Sequence, residues 1–401
     1  MRVTENKAVV TMQFGDGERI SAWNQLELKD SYTDPLGSLT FEAAPPRSQY
    51  ASYRERLTKG ALVTVFVNSV NQGGFLIQTV QRKVNKAGGA VIRATCHTPL
   101  VTPYQGHVDP DLALKYGTDA IIADAILKVM KPYGFDAIIA DEVGDANILS
   151  GIEVKTTSSK GKRKKRRKLS LEQLKIDQAK PHENETAYAF CTRLVTRLGA
   201  VLRVNPLGTL VLSRPNYDQP GRYTVVQTFG GRSYDNNVDY FEGDVVVHDS
   251  NDEQFSKCVI RGQRGDAVGQ KATLRPEAEV LEDELHPDRP SYKSFAASYK
   301  PKILRDKSSR DPERAKSMAA FELGVRALNA YSVEGEANGF LSSTGAIWTV
   351  DTMCRVVVEA DELDQEMYLL ERTLRLDSSG GQRTHLRFVP DGALVLGEPP
   401  A

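Results

Sequence analysis

The densest run of a single chemistry in this chain is Lys162-Arg163-Lys164-Lys165-Arg166-Arg167-Lys168, seven consecutive cations. Such a run holds phosphates by releasing their counterions, so its chemistry points to a polyanion: DNA or an acidic partner surface. No aromatic side chain is interleaved, so stacking on nucleobases is unsupported. The surrounding Thr156–Lys168 has no apolar residue, and its plainest reading is a solvated loop that repels itself. A nuclear-localisation reading is cheap, because such runs recur by chance. The remaining chemistry is sparse. The chain lacks GxSxG, HExxH and GxxxxGK[ST] patterns, which removes the nucleophile-elbow, zincin and phosphate-loop signatures. His97, His107, His182, His248, His286 and His385 are isolated from one another. His107-Val108-Asp109-Pro110-Asp111 has oxygen donors at alternate positions, as hard-cation sites do, but it reads more simply as a loop approaching a helix. Asp141-Glu142 and Glu282-Asp283-Glu284 sit in polar surroundings that mark no cleft. No catalytic residue, cofactor or metal ligand is assigned.

The elements that would position any such group are set by composition and pattern. The 401 residues suffice for about three domains. Apolar residues make up 40% and charged residues 26%, an ordinary globular balance. Lys+Arg and Asp+Glu are 52 each, so charge matters only locally. No stretch approaches the ~20 apolar residues that cross a bilayer. The N-terminus lacks the apolar core of a secretory signal. Cys96, Cys191, Cys258 and Cys354 are far apart with no CxxC spacing, which suits buried thiols in a reducing cytoplasm.

One pattern occurs twice. Residues 61–99 read strand, turn, strand, turn, strand, with turns at Asn71-Gln72-Gly73-Gly74 and Lys86-Ala87-Gly88-Gly89. Residues 351–390 repeat it through Met353–Val358, an acidic loop, Met367–Leu376, Ser378-Ser379-Gly380-Gly381 and Gln382–Pro390. Upstream, Leu26–Ser31 with Leu39 and Phe41 parallels Val245–Ser250 with Cys258 and Ile260. The offset is 219 at the upstream pair (31 to 250) and 292 at the turns (89 to 381), so the second copy carries an insertion of the difference. Ala61–Val67 is nearly continuous in apolar residues and is expected to be buried on both faces. Between the copies, Asp119–Lys131 and Glu185–Leu198 have helical spacing, and Val201–Val204 and Thr209–Leu212 form a hairpin around Asn205-Pro206-Leu207-Gly208. A third helix opens at Asp311-Pro312-Glu313.

The expected fold is mainly β with α+β insertions. It comprises two similar antiparallel β-barrel-like modules, a helix-containing middle domain and a small C-terminal segment. The divisions are a first β-module at 1–103, a middle domain at 104–218 with the basic loop at 156–168, a second module at 219–376 interrupted by an insertion at 264–339, and a C-terminal strand and tail at 377–401.

Ile20-Ser21-Ala22-Trp23-Asn24-Gln25-Leu26 with Gly37-Ser38-Leu39-Thr40-Phe41 opens a series of loose motifs. Glu185-Thr186-Ala187-Tyr188-Ala189-Phe190 leads into Asn205–Leu212, and Trp348-Thr349-Val350 precedes Leu369–Leu376 and Gly380-Gly381. In this order the chain resembles the baseplate hub protein of Mu-like contractile-tail phages and, more distantly, the hub part of type VI secretion spike proteins. The resemblance covers nearly the whole chain. It implies a homotrimer without catalysis or cofactor, placed in the baseplate of a virion tail and made in the host cytoplasm. Three chains of two modules would present six barrels to a sixfold tube while keeping threefold symmetry for a spike. The implied partners are the tail tube protein or a tube-terminal adaptor, the central spike protein, and other baseplate and wedge proteins. Tape-measure protein or DNA would occupy the lumen. The run Lys162–Lys168 is no part of the resemblance. The alternatives are the hub of a tailocin or other contractile injection particle, a tail-associated cell-wall hydrolase, and a nucleic-acid-binding module built on the basic run.

Overall fold

A computed structural model describes residues 8–20, 23–84, 90–109, 122–140, 181, 184–196, 200–213, 215–217, 219–229, 234, 237–250, 252, 255–262, 277–281, 300–306, 319, 322–326, 328–377 and 381–391. The first part of the chain forms β1 (Val10–Phe14), β2 (Arg19–Ile20), β3 (Gln25–Ser31), β4 (Ser38–Ala43), helix α1 (Tyr50–Arg56), β5 (Leu62–Val67), β6 (Val70–Val84) and β7 (Ala90–His97). Next come α2 (Val101–Gln105), α3 (Ile122–Met130), β8 (Ile138–Ala140), α4 (Ala187–Thr196), β9 (Val201–Val204) and β10 (Leu210–Ser213). The last part contains β11 (Tyr223–Gln227), β12 (Asp239–Tyr240), β13 (Val246–Asp249), β14 (Lys257–Gly262), β15 (Glu277–Leu281), β16 (Pro301–Asp306), β17 (Tyr331–Asn338), β18 (Thr352–Val358), β19 (Leu363–Asp377) and β20 (Gly381–Pro390).

The duplication is a duplication of sheet order. One half of the 14-stranded sheet runs β2-β1-β5-β6-β7-β4-β3, and the other runs β12-β11-β18-β19-β20-β17-β13. Each position matches, although β1 lies antiparallel to β5 whereas β11 lies parallel to β18. The irregularities match as well. The ladder of β6 with β7 slips between Ile77 and Thr79, and that of β19 with β20 slips between Leu369 and Glu371, 292 residues later. A β-bulge bends its strand and re-aims the residues beyond it. Each bulge splits a 15-residue strand into a half paired to one neighbour and a half that turns away from it.

The pairings correct one correspondence drawn from sequence. Leu28 faces Leu39 across β3 and β4, and Val247 faces Val333 across β13 and β17. The offset is therefore 219 at β3 (28 to 247) but already 294 at β4 (39 to 333). The counterpart of β4 is β17, so Cys258 and Ile260 do not stand where Leu39 and Phe41 stand. They lie on β14, the centre of a separate three-stranded sheet with β15 and β16. The extra chain of the second copy thus enters directly after β13 and ends before β17. The strand at 381–390, set apart in sequence as part of a tail, pairs with both β17 and β19 inside the second module.

Alternation decides which side chains are buried. In β4 the inward residues are Leu39, Phe41 and Ala43, and in β17 they are Val333, Gly335 and Ala337. Gly335 occupies the place of Phe41, and the ring of Phe241 fills the space: a Cβ at Gly335 would lie 2.5 Å from it. Strand β5 was expected to be covered on both faces, but it alternates, with Val63, Val65 and Val67 inward and Leu62 45% exposed. Its outward Thr64 and Phe66 are residue types that favour strands, and the second face is only half covered.

Each module has its own core. Met12, Leu28, Phe41, Val65, Phe75 and Cys96 belong to the first, and Val225, Val333, Trp348, Val356, Leu369 and Phe388 to the second. Because β1 and β3, near opposite ends of the strand order, bury residues in one core, the sheet is strongly rolled. The middle domain packs α3 and α4 on the β8-β10-β9 sheet through Ile126, Met130, Phe190, Leu194, Leu202 and Leu212. Helix α4 presents the face read from its spacing, with Tyr188, Cys191, Leu194 and Val195 buried. The hairpin turn is held by Asn205 Oδ1, which accepts from the amides of Leu207 and Thr209, and Gly208 takes the left-handed φ of 84°. All four cysteines are free and buried. Burial raises their pKa, to about 12 for Cys96 and about 11 for Cys258. Among the described residues no helix is long and apolar enough to cross a membrane.

Candidate functional site at the seam between the modules

The residues that bring all three parts of the molecule together lie along the junction of β3 with β19. After its bulge, β19 leaves β18 and pairs antiparallel with β3, from Glu371 opposite Ser31 to Asp377 opposite Gln25. The bulge is tied down where Tyr32 N donates to Leu370 O at 2.9 Å. Inward-facing Leu374 enters the core of the first module, so one strand serves both cores. On the outward face Arg375 lies 3.4 Å from Glu27 and Lys29 2.9 Å from Glu371. Pairs at or near the surface contribute up to ~1 kcal/mol each and fix register more than stability.

Arg372, buried and one residue beyond that start, is the central group. Its Nη2 lies 3.4 Å from Asp30 Oδ2 on β3 and donates to Gln72 Oε1 at 3.0 Å on the β6 hairpin. Its Nη1 donates to the carbonyl of Trp348 in the second module. Arg203 on β9 of the middle domain approaches the other oxygen of Asp30 at 3.9 Å and places its guanidinium 4.6 Å from the centre of the Tyr32 ring. Burial opposes the charge on Arg203, but the carboxylate of Asp30 and then Tyr32 and Asp351 outweigh it, and its pKa is raised. One carboxylate on the first module therefore holds an arginine from each of the other two parts.

A second anchor lies beside it. Asp351 has φ of 64°, a left-handed conformation that aspartate tolerates better than most residues. Its Oδ1 accepts from Tyr368 OH at 2.5 Å and from Asn216 N at 3.3 Å, while its carbonyl accepts from Gln219 Nε2 at 2.7 Å. Tyr32 and Tyr368 meet edge to face with centroids 5.8 Å apart, and Tyr32 OH is 3.2 Å from Ser213 Oγ. Burial first, then the charge of Asp351, pushes the pKa of both phenols well up, so both stay protonated. A cleft of about 460 Å³ opens over these groups, with Asp30, Gln72, Arg203, Arg222, Asp351 and Arg372 on its walls. The arrangement suits holding three bodies in fixed relation. It has no nucleophile–base pair and no metal set.

The groups singled out in sequence fall elsewhere. Lys162–Lys168 lie outside the described residues, as do Asp111, Asp141-Glu142, Glu282-Asp283-Glu284, His182, His286, the turn at 86–89 and the helix start at Asp311-Pro312. His107 forms a bridge with Thr186, and its carbonyl accepts from Tyr133 OH at 2.8 Å, so its backbone links α2 to α4. No group of three or more His, Cys, Asp or Glu able to hold a metal occurs among the described residues. Sequence reading missed Asp30, Arg203, Asp351 and Arg372 as a group. The one visible signal was the recurrence of Asp30-Ser31 as Asp249-Ser250.

No protein-family model matches the sequence. No curated protein matches it. Solved structures do. The 43 kDa tail protein of prophage MuSo2 from Shewanella oneidensis is similar, at TM-score 0.69 and 16% identity, over 97% of this chain and 100% of that one. A tail protein from Neisseria meningitidis MC58 is similar at TM-score 0.71 and 15% identity, over 97% and 98%. The prophage tail protein gp18 of Listeria monocytogenes EGD-e is similar at TM-score 0.51 and 12% identity, over 94% of each chain. The chain shares the fold of these phage tail proteins across nearly its whole length.

Proposed function

We propose that the chain is the structural hub of a phage tail baseplate, a homotrimer that joins the sixfold tail tube to a threefold central spike. The observation that carries this reading is the matched seven-strand order of the two modules in a fold shared with phage tail proteins. Three chains supply six near-equivalent modules, which answer a sixfold ring, while the middle domain and the insertion after β13 occur once per chain and keep the symmetry at three. In this reading the chain divides into a first module, a middle domain and a second module that includes the strand at 381–390.

The ring would contact the tube protein or a tube-terminal adaptor on one side and the spike on the other, with wedge and other baseplate proteins around it. Its lumen would pass tape-measure protein and DNA. The protein acts by geometry and not by catalysis, in the baseplate of the virion. The basic run Lys162–Lys168 would meet negatively charged partner surface, tape-measure protein or DNA. Deleting Lys162–Lys168 is expected to lower assembly or infectivity, and unchanged values of both would remove that role. Negative-stain imaging of the purified protein tests the main reading. The expected particle is a ring with a central hole, six lobes at the level of the modules and three at the level of the inserted parts. Particles with no hole and no threefold axis would overturn it.

A further inference from the structure

The two modules share one strand order but not one environment. Strand β3 is paired on both edges, with β4 and with β19, whereas its counterpart β13 is paired on one edge only among the described strands, with β17. Reciprocally, the half of β19 after the bulge is paired with β20 and β3, whereas the counterpart half of β6, Thr79–Val84, is paired with β7 alone among the described strands. Among the described strands, the contact used once inside the chain therefore leaves one copy of each of its two surfaces unpaired, on different modules.

We propose that β13 of one copy of this chain pairs antiparallel with residues 79–84 of β6 in the next copy, repeating between chains the junction that β3 and β19 make within one. The repeat fixes the register. Subtracting 292 from the β19 positions and adding 219 to the β3 positions turns Glu371 opposite Ser31 into Thr79 opposite Ser250. Val80 then faces Asp249, Gln81 faces His248, Arg82 faces Val247, Lys83 faces Val246 and Val84 faces Val245.

The side chains agree with this occupant. Val84 and Val246 are 70% and 58% exposed, the state of residues awaiting cover on an open strand edge. The β6 edge carries Arg82 and Lys83, β13 carries Asp249, and Asp244 lies just before β13. In the stated register Lys83 lies diagonally from Asp244, within reach for a cross-strand ion pair, and Arg82, whose Nη2 donates to the carbonyl of Leu57 at 3.0 Å, lies diagonally from Asp249. A head-to-tail contact of this kind closes into a ring or runs on as a fibre. Closure at three chains rests on the hub reading; the pairing of the two edges does not.

The test is a cysteine pair. Because Tyr32 N donates to Leu370 O, alternation along the ladder makes Lys83 and Val246 a non-hydrogen-bonded pair, with Cα atoms ~4.5 Å apart, close enough for a disulfide. Under mild oxidation the Lys83→Cys/Val246→Cys variant is expected to convert from single chains to a covalent trimer on a non-reducing gel. Each single variant, and Lys83→Cys/Val247→Cys with its second cysteine on the opposite face, is expected to remain unlinked. Retained thermal unfolding shows that each variant folds. A trimer in solution that the designed pair does not link overturns the junction and leaves the three-chain reading standing. Links that stop at dimers overturn the ring. A protein that neither assembles nor links overturns both.

Discussion

Arg372 Nη2 on β19 lies 3.4 Å from Asp30 Oδ2 on β3, and this one contact crosses the seam between two modules 342 residues apart in sequence. Arg372 is buried and Asp30 is partly exposed, so the two partners differ in what they lose when separated. Removing the arginine leaves a carboxylate that water can still reach. Removing the carboxylate leaves a buried guanidinium with Gln72 and the Trp348 carbonyl as its remaining partners. Asp30→Ala is expected to cost ~3 kcal/mol and Arg372→Met less, with the double variant well short of their sum. Chemical denaturation of the four proteins measures the coupling.

Leu374 places the second module's strand in the first module's core. Leu374→Ala is expected to cost ~2–5 kcal/mol, the range for a fully enclosed leucine. Because the residue is shared, unfolding of the two modules should remain one transition at a lower midpoint. Two separated transitions would show that the seam does not couple the cores.

Asp351 combines a left-handed backbone with three held groups. Asp351→Asn keeps both the tolerance of that φ and an acceptor oxygen, and is expected to cost under ~1 kcal/mol. Asp351→Ala loses the bonds from Tyr368 and Asn216 and suits the φ poorly, and is expected to cost ~2 kcal/mol or more. The order of the two midpoints is the readout.

Gly335 and Phe241 occupy one space. Gly335→Ala brings a Cβ to 2.5 Å from the ring and is expected to cost ~1–3 kcal/mol. Phe241→Leu in the same chain is expected to recover part of that loss. No recovery would mean that the clash is not with this ring.

Burial lifts the pKa of Asp239 to about 6, against the amide and hydroxyl of Ser343 that donate to it at 2.7 and 3.0 Å and favour its charged form. The folded state therefore holds the proton more tightly than the unfolded chain does. The stability that this brings is present below the usual carboxylate range and is lost as pH rises through about 6. Asp239→Asn is expected to remove part of the fall in melting temperature between about pH 5 and about pH 7.5. A fall equal to that of the parent protein would contradict the assignment.

Much of this architecture was legible in the chain. Alternating burial and Gly-rich turns at a constant offset carried the strands from Leu62 to His97 and from Thr352 to Pro390, because hairpins are local. What misled was Cys258 and Ile260. They alternate as Leu39 and Phe41 do, and period-two alternation does not say which strand is the neighbour. The side sheet of β14 uses the same code as the module. The seam was illegible for a related reason: Asp30, Arg203 and Arg372 lie on separate elements, and nothing local in sequence announces a contact across 342 residues. Asp249, the repeat of Asp30, has no such partner arginine opposite it; Val80 stands where Arg372 would, so the charge cluster belongs to the internal seam alone.

The mass of the purified protein in solution tests the central claim most directly. Sedimentation across a range of concentrations, alone and with the tube and spike proteins of the same particle, is expected to give a species of three times the chain mass. A single-chain mass at every concentration and with both partners would contradict it.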